Sequence, residues 1–142
     1  MKFDIVLQNN EQNLSFALKT TEIEIDKAEG VEIMLNFKNK QIGAVFYGIW
    51  LEHHQIYNAI EHWKNSQDSF SLQTDVFSLE VFVKSPPNKE SLVGLKITKD
   101  AGNLLKDFPT TLITNFALPY AEVEKLIAYF NELARSTTAR PY

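Results

Sequence analysis

Cysteine is absent from the sequence, which excludes disulfides, thiol nucleophiles and thiolate metal sites and is compatible with a reducing compartment. Glycine is scarce as well, and none of the five falls in the GxGxxG or GxxxxGK spacing that cradles phosphates. Nucleophile elbows and zincin helices are also missing. No window approaches the roughly 20 uninterrupted apolar residues of a bilayer span. The short apolar run of "MKFDIVLQNN" is interrupted by Asp4, where a signal peptide carries no acid. A cytoplasmic protein without a membrane partner is expected. Basic residues are outnumbered, giving a net charge of -4 and a pI near 5.4. That balance argues against nucleic acid, because phosphate neutralisation needs clustered Lys and Arg, and it favours a basic partner.

What is present is enough for a core. With 44% hydrophobic residues and ten Phe in 142 residues, a single domain over 1–142 is expected, with 136–142 as a loosely held tail. Phe3, Ile5 and Leu7 alternate with polar neighbours, "QNNEQN" turns, and Leu14, Phe16 and Leu18 resume the alternation, which predicts a hairpin. The phase shifts before Ile23 and Ile25. Either a bulge or a new strand begins there. Val31, Ile33, Leu35 and Phe37 form the next strand, and "IGAVFYGIWL", apolar on both faces, reads as a central covered one.

The period then becomes helical. Ile56, Tyr57, Ile60 and Trp63, with Ala59, predict an amphipathic helix at about 54–65. Alternation returns at Phe70 and Leu72 and again from Phe77 to Val83, "SPPN" at 85–88 stops pairing, and two more strands surround the turn "KDAGN". Val123, Leu126, Ile127, Phe130 and Leu133 make the stripe of a second helix at about 119–135, opened by Pro119. The fold class is therefore α+β, with antiparallel β-sheet(s) of about seven to eight strands and two packed helices. No internal repeat shows at a fixed period.

Charge is distributed unevenly. "EIEIDKAEGVE", residues 22–32, holds five acids and one lysine, so this stretch alone accounts for the net charge and the remainder balances. On a strand Glu22, Glu24 and Asp26 share a face, with Glu29 following. Alternate strand residues are about 6.6 Å apart, too far for calcium, which gathers oxygens at about 2.4 Å. Two readings remain: a charged edge that deters aggregation, or a docking surface for a basic partner. A glycosidase carboxylate pair lacks supporting context.

The histidines His53, His54 and His62 adjoin the first helix. His54 and His62 lie about 12 Å apart along a helix axis, too far to share one metal ion, so no metal and no cofactor is expected. With Asn58 and Glu61 they instead offer a polar helix face for a partner. Trp50, Trp63, Tyr47 and Tyr57 surround the strand-to-helix junction and read as core.

The element order, with "GIWLEHHQIYNAIEHWKN" and "LPYAEVEKLIAYFNELA", resembles the small bacterial immunity proteins of the WapI-like type from about Phe3 to Ala134. The resemblance rests on ordering and on Trp63, and it carries over no binding residue. It implies a non-enzymatic inhibitor whose partner is a cognate basic toxin domain. Glu22, Glu24, Asp26 and Glu29, then His54, Asn58, Glu61 and His62, are the candidate contact residues. An acidic secretion chaperone is the alternative, although such chaperones typically open with a helix, and a small-ligand-binding domain ranks third.

Overall fold

The computed structural model describes residues 2–25, 29–66, 68–83, 90–100 and 109–137. The chain forms two four-stranded antiparallel meanders, each followed by a helix. The first comprises β1 (Ile5–Gln8), β2 (Ser15–Glu24), β3 (Gly30–Lys38) and β4 (Gly43–Glu52), leading into α1 (His53–Ser66). The second comprises β5 (Ser69–Gln73), β6 (Phe77–Phe82), β7 (Ser91–Asp100) and β8 (Pro109–Leu118), leading into α2 (Tyr120–Ser136). Strand order in each sheet follows chain order, so every pairing is between sequence neighbours. The α+β class with antiparallel sheets and two helices is what the periodicities predict.

Side-chain alternation decides which face is inside. Phe16, Leu18, Ile33, Leu35, Phe37 and Leu51 from the first sheet and Leu79, Val81, Val93, Leu95 and Phe116 from the second belong to one buried cluster. Phe116 meets Phe37 at 5.4 Å and Phe16 at 5.9 Å between ring centroids, joining the inner faces of the two sheets. The helices complete the enclosure. α1 packs along β5 and against α2, while α2 packs against β1. The stripe Val123, Leu126, Ile127, Phe130 and Leu133 is buried as its spacing predicts, and Phe130 stacks on Phe70 at 5.5 Å.

Two bulges set the local twist. In β2 the register advances two residues from Thr20 to Glu22 while β3 advances one, so Thr21 is the extra residue that shifts the phase before Ile23. This settles the open choice in favour of a bulge within one strand. In β4 an extra residue falls between Phe46 and Ile49, where Gly48 takes φ 67°, a conformation that favours glycine. That bulge keeps both Phe46 and Ile49 on the inner face. The reading of β4 as mid-sheet is corrected by the strand order: β4 is an edge strand, and it is apolar on both faces because Val45, Tyr47 and Trp50 lie on its outward side while Phe46, Ile49 and Leu51 face the core.

Polar ties hold the helices. Glu122 accepts a hydrogen bond from the Gln8 backbone N–H at 3.0 Å, closing the β1 edge, and pairs with Lys125 at 2.8 Å. The Tyr129 hydroxyl lies 2.7 Å from Thr20 Oγ1, and burial, opposed by that hydrogen bond, pushes its pKa up to about 12. Thr137, expected in the loose tail, is fully buried and donates to the Leu133 carbonyl at 2.8 Å. The sequence-predicted "SPPN" stop, the glycine end of "KDAGN" and residues 138–142 lie outside the described residues. Among the described residues no helix is long and apolar enough to cross a membrane.

Candidate functional site

Both inner faces are consumed by the core, which leaves the outward sheet faces, although on the first sheet the outward Ala17 and Met34 are themselves buried. On the first sheet the register places outward residues in rows. One row runs Val6, Ala17, Asn36, Val45, and on the flanking row Ser15 and Lys38 stand beside Gly43. On the other side Lys19 stands beside Met34, next to the β4 bulge that turns Tyr47 outward, and beyond it come Glu22, Glu32 and Trp50. Rows two residues apart are separated by about 6.6 Å, close to the span of one extended nucleotide or dipeptide.

Tyr47 is 62% exposed, and Val6 and Val45 are exposed on the same face. Trp50 is half-buried, and its indole lies against Gly30 across the β3–β4 pair. A Cβ at Gly30 would overlap Trp50 Cζ2 and come within 2.7 Å of the Leu51 carbonyl oxygen, so this position is closed to other residues. Lys38 and Lys40 are exposed at one end of the face, and Lys19 Nζ, near the middle, donates to the Lys2 carbonyl at 3.1 Å. The arrangement is an aromatic and apolar strip with cations at one end and in the centre.

The acids sit at the other end. Glu22 lies directly opposite Glu32, and Glu24 and Glu52 flank Gly30 in the next row. Glu22 and Glu24 thus share a face, as their alternation predicts, and two acids from other strands join them. Glu29 is exposed immediately before β3, while Asp26 lies outside the described residues.

The histidines do not converge. His53 Nδ1 is 2.9 Å from Thr137 Oγ1, His54 Nδ1 is 3.3 Å from Glu52 Oε2, and His62 Nε2 is 2.8 Å from Ser69 Oγ. Among the described residues no group of three His, Cys, Asp or Glu side chains could hold a metal ion. His54 therefore adjoins the acidic end. Exposed Asn58, half-buried Glu61 and exposed His62 continue along α1. Glu61 pairs with Lys64 at 3.7 Å and lines a cleft of about 400 Å³ between the helices with Tyr57, Ile60, Asn131 and Arg135. Tyr57, expected in the core stripe, is exposed there.

Tyr47 and Tyr57 read as core from the sequence and are exposed in the structure, while Lys19 and Lys38 carry no signal in the sequence pattern. Tyr47 reads as core because it lies in a run apolar in both phases, in which the bulge leaves no visible phase shift. The signal available was Gly48, a residue suited to the left-handed conformation that resets the phase.

No family model and no curated protein matches this chain. Solved structures do. The chain is similar to MRP1/MRP2 of Trypanosoma bruciei, at TM-score 0.52 and 9% identity over 94% of this chain and 83% of that one. It is similar to WHY3 from Arabidopsis thaliana, at TM-score 0.52 and 13% identity over 96% and 90%, respectively. It is also similar to the plant transcriptional regulator PBF-2, at TM-score 0.52 and 14% identity over 96% and 83%. At these identities the likeness is one of fold.

That fold overturns the immunity-protein expectation, together with its secretion-chaperone alternative, the cognate basic toxin domain as partner and the exclusion of nucleic acid. The full-length likeness runs to solved chains that include a transcriptional regulator. The physical error lay in treating net charge as a property of the whole surface. The excess acid is confined to residues 22–32, at one end of one sheet, and the rest of the chain is balanced.

Proposed function

We propose that the protein is a non-enzymatic binding module that takes single-stranded nucleic acid across the outward face of its first sheet. The observation that carries the reading is Tyr47, 62% exposed on an open sheet face, with Trp50 seated on Gly30 beside it and Lys19 and Lys38 on the same face. Unpaired bases stack on aromatic rings without sequence preference, at about 1–3 kcal/mol per base. A flat β-face carrying such rings is one of the recurring ways to hold a single strand. A duplex offers no exposed base faces to Tyr47. The kinship of fold with a transcriptional regulator supports the reading.

The acids give the face a direction. Phosphates are attracted toward Lys19, Lys38 and Lys40 and repelled by Glu22, Glu32 and Glu52, so the strand is confined to the lysine end and centre. Two to three phosphate contacts imply that log K falls with log salt at a slope of about -1.4 to -2.1. Fluorescence anisotropy with a labelled oligothymidylate at low salt tests the proposal. Tyr47→Ala is expected to weaken binding about 5- to 150-fold, matching the stacking range. Lys38→Gln is expected to flatten the salt slope by about 0.7. Absence of binding at low salt, or binding indifferent to both substitutions, refutes it.

A further inference from the structure

The four sheet edges differ sharply in how they are protected, and β8 stands apart. A sheet edge presents a row of backbone N–H and C=O groups that template pairing with another strand, and proteins blunt such edges with charge, bulges, brevity or cover. The β1 edge is four residues long, and the Glu122 carboxylate of α2 takes the Gln8 N–H. The β5 edge lies under α1, with His62 bonded to Ser69 at 2.8 Å. The β4 edge is broken by the bulge at Gly48 and ends on Glu52. β8 has ten residues and pairs with β7 in unbroken register. Its sequence, "PTTLITNFAL", contains no charged residue. Ile113, on its outward face, is 67% exposed, and Thr111 and Asn115 beside it are also exposed. Among the described residues no strand pairs with its free side.

We infer that β8 is an association edge for a second copy of this chain, pairing antiparallel with its own counterpart to join two second sheets into one eight-stranded sheet. Self-pairing suits this strand for a specific reason. An isologous two-fold contact sets each residue of the strand against another residue of the same strand, so an uncharged strand such as β8 finds in its own counterpart an equally uncharged partner, with no unmatched charge across the contact. Ile113, with Thr111 and Asn115 on either side, then faces the same set across the two-fold, covering an apolar side chain now in water. A charged partner strand would find no complementary charge on β8. The contact is closed, so a dimer rather than a fibre results. The inference is independent of the nucleic-acid reading, because it uses the other sheet.

Sedimentation equilibrium from about 1 to about 200 µM, the range in which a micromolar dimer titrates, decides it. The wild-type chain is expected to reach twice its 16.3 kDa mass. Ile113→Lys combined with Asn115→Lys, both at exposed positions, is expected to stay at monomer mass with an unchanged far-ultraviolet spectrum. Val45→Lys on β4 is expected to dimerise as wild type does. Hydrogen exchange of the unmodified protein supplies a second readout: β8 amides should slow with concentration while those of β4 do not. A wild-type monomer throughout the range, concentration-independent exchange in β8, or an assembly that the double lysine variant leaves intact overturns the inference. A monomer whose β8 edge captures a different chain is counted among the overturning results.

Discussion

Phe130→Ala tests whether α2 closes the core. Phe130 is fully buried on α2, stacks on Phe70 of β5 at 5.5 Å and 28°, and receives the Tyr129 ring edge-on at 5.4 Å and 70°. Emptying an aromatic core site costs about 3–5 kcal/mol, combining lost transfer energy with the cavity left behind. Each favourable ring pair adds about 0.5–1.5 kcal/mol beyond area, so two pairs place this site in the upper part of the range, at about 4–5 kcal/mol. Phe130→Leu, which keeps most of the volume and loses the ring contacts, should cost about 1–2 kcal/mol. Urea denaturation followed by circular dichroism gives both values, provided the slope m is unchanged. Because a domain's total stability is about 5–15 kcal/mol, the alanine variant should sit close to unfolding at room temperature. A loss below about 1 kcal/mol would show that α2 does not close the core, and the packing argument would fail with it.

The remaining expectations probe the sheet faces and the helix ties. Glu32→Gln should raise stability by about 0.2–1 kcal/mol, because it removes a like charge directly opposite Glu22, and a thermal melt showing a loss would contradict that pairing. Gly30→Ala should displace the Trp50 indole and alter its fluorescence while also destabilising the fold, whereas unchanged emission would mean the ring is not seated there. Tyr129 has a folded pKa near 12 against about 10 when unfolded, so the unfolded chain loses its proton first and stability falls as pH rises from 10 towards 12. Tyr129→Phe should flatten that limb of the stability profile, and an unaltered limb would place its origin elsewhere. Protein purified without a histidine tag should contain no stoichiometric zinc by elemental analysis, given the separate partners of His53, His54 and His62.

The elements that sequence reading recovers are those whose pattern is uninterrupted. The α2 stripe repeats its apolar spacing over about three turns, and the β2 and β3 alternations around Phe16 and Phe37 are clean, so their buried faces follow from period alone. The bulges are harder, because one extra residue inverts every side chain after it. At Thr21 the inversion was visible as a phase shift, with its cause undecided. At Gly48 it was concealed by a run apolar in both phases, and Tyr47 was therefore assigned to the core. The duplication of four strands and a helix escaped periodicity analysis because only the architecture repeats, with different loop lengths and different residues in each half. The candidate platform was illegible for a related reason. Lys19, Lys38, Tyr47 and Trp50 are spread over three strands, and only register brings them to one face.

The most direct test of the central claim uses Trp50 as the reporter. The chain has two tryptophans, so Trp63→Phe leaves Trp50 as the single emitter, located on the proposed platform itself. Titration of that variant with single-stranded oligothymidylate at low salt is expected to quench its emission saturably, with recovery on addition of salt and a much weaker response in the added presence of Tyr47→Ala. Duplex of the same length should leave the emission largely unchanged. Emission that stays constant while a labelled strand is saturated, or no saturable binding of the strand at all, would contradict the assignment of the first sheet's outward face.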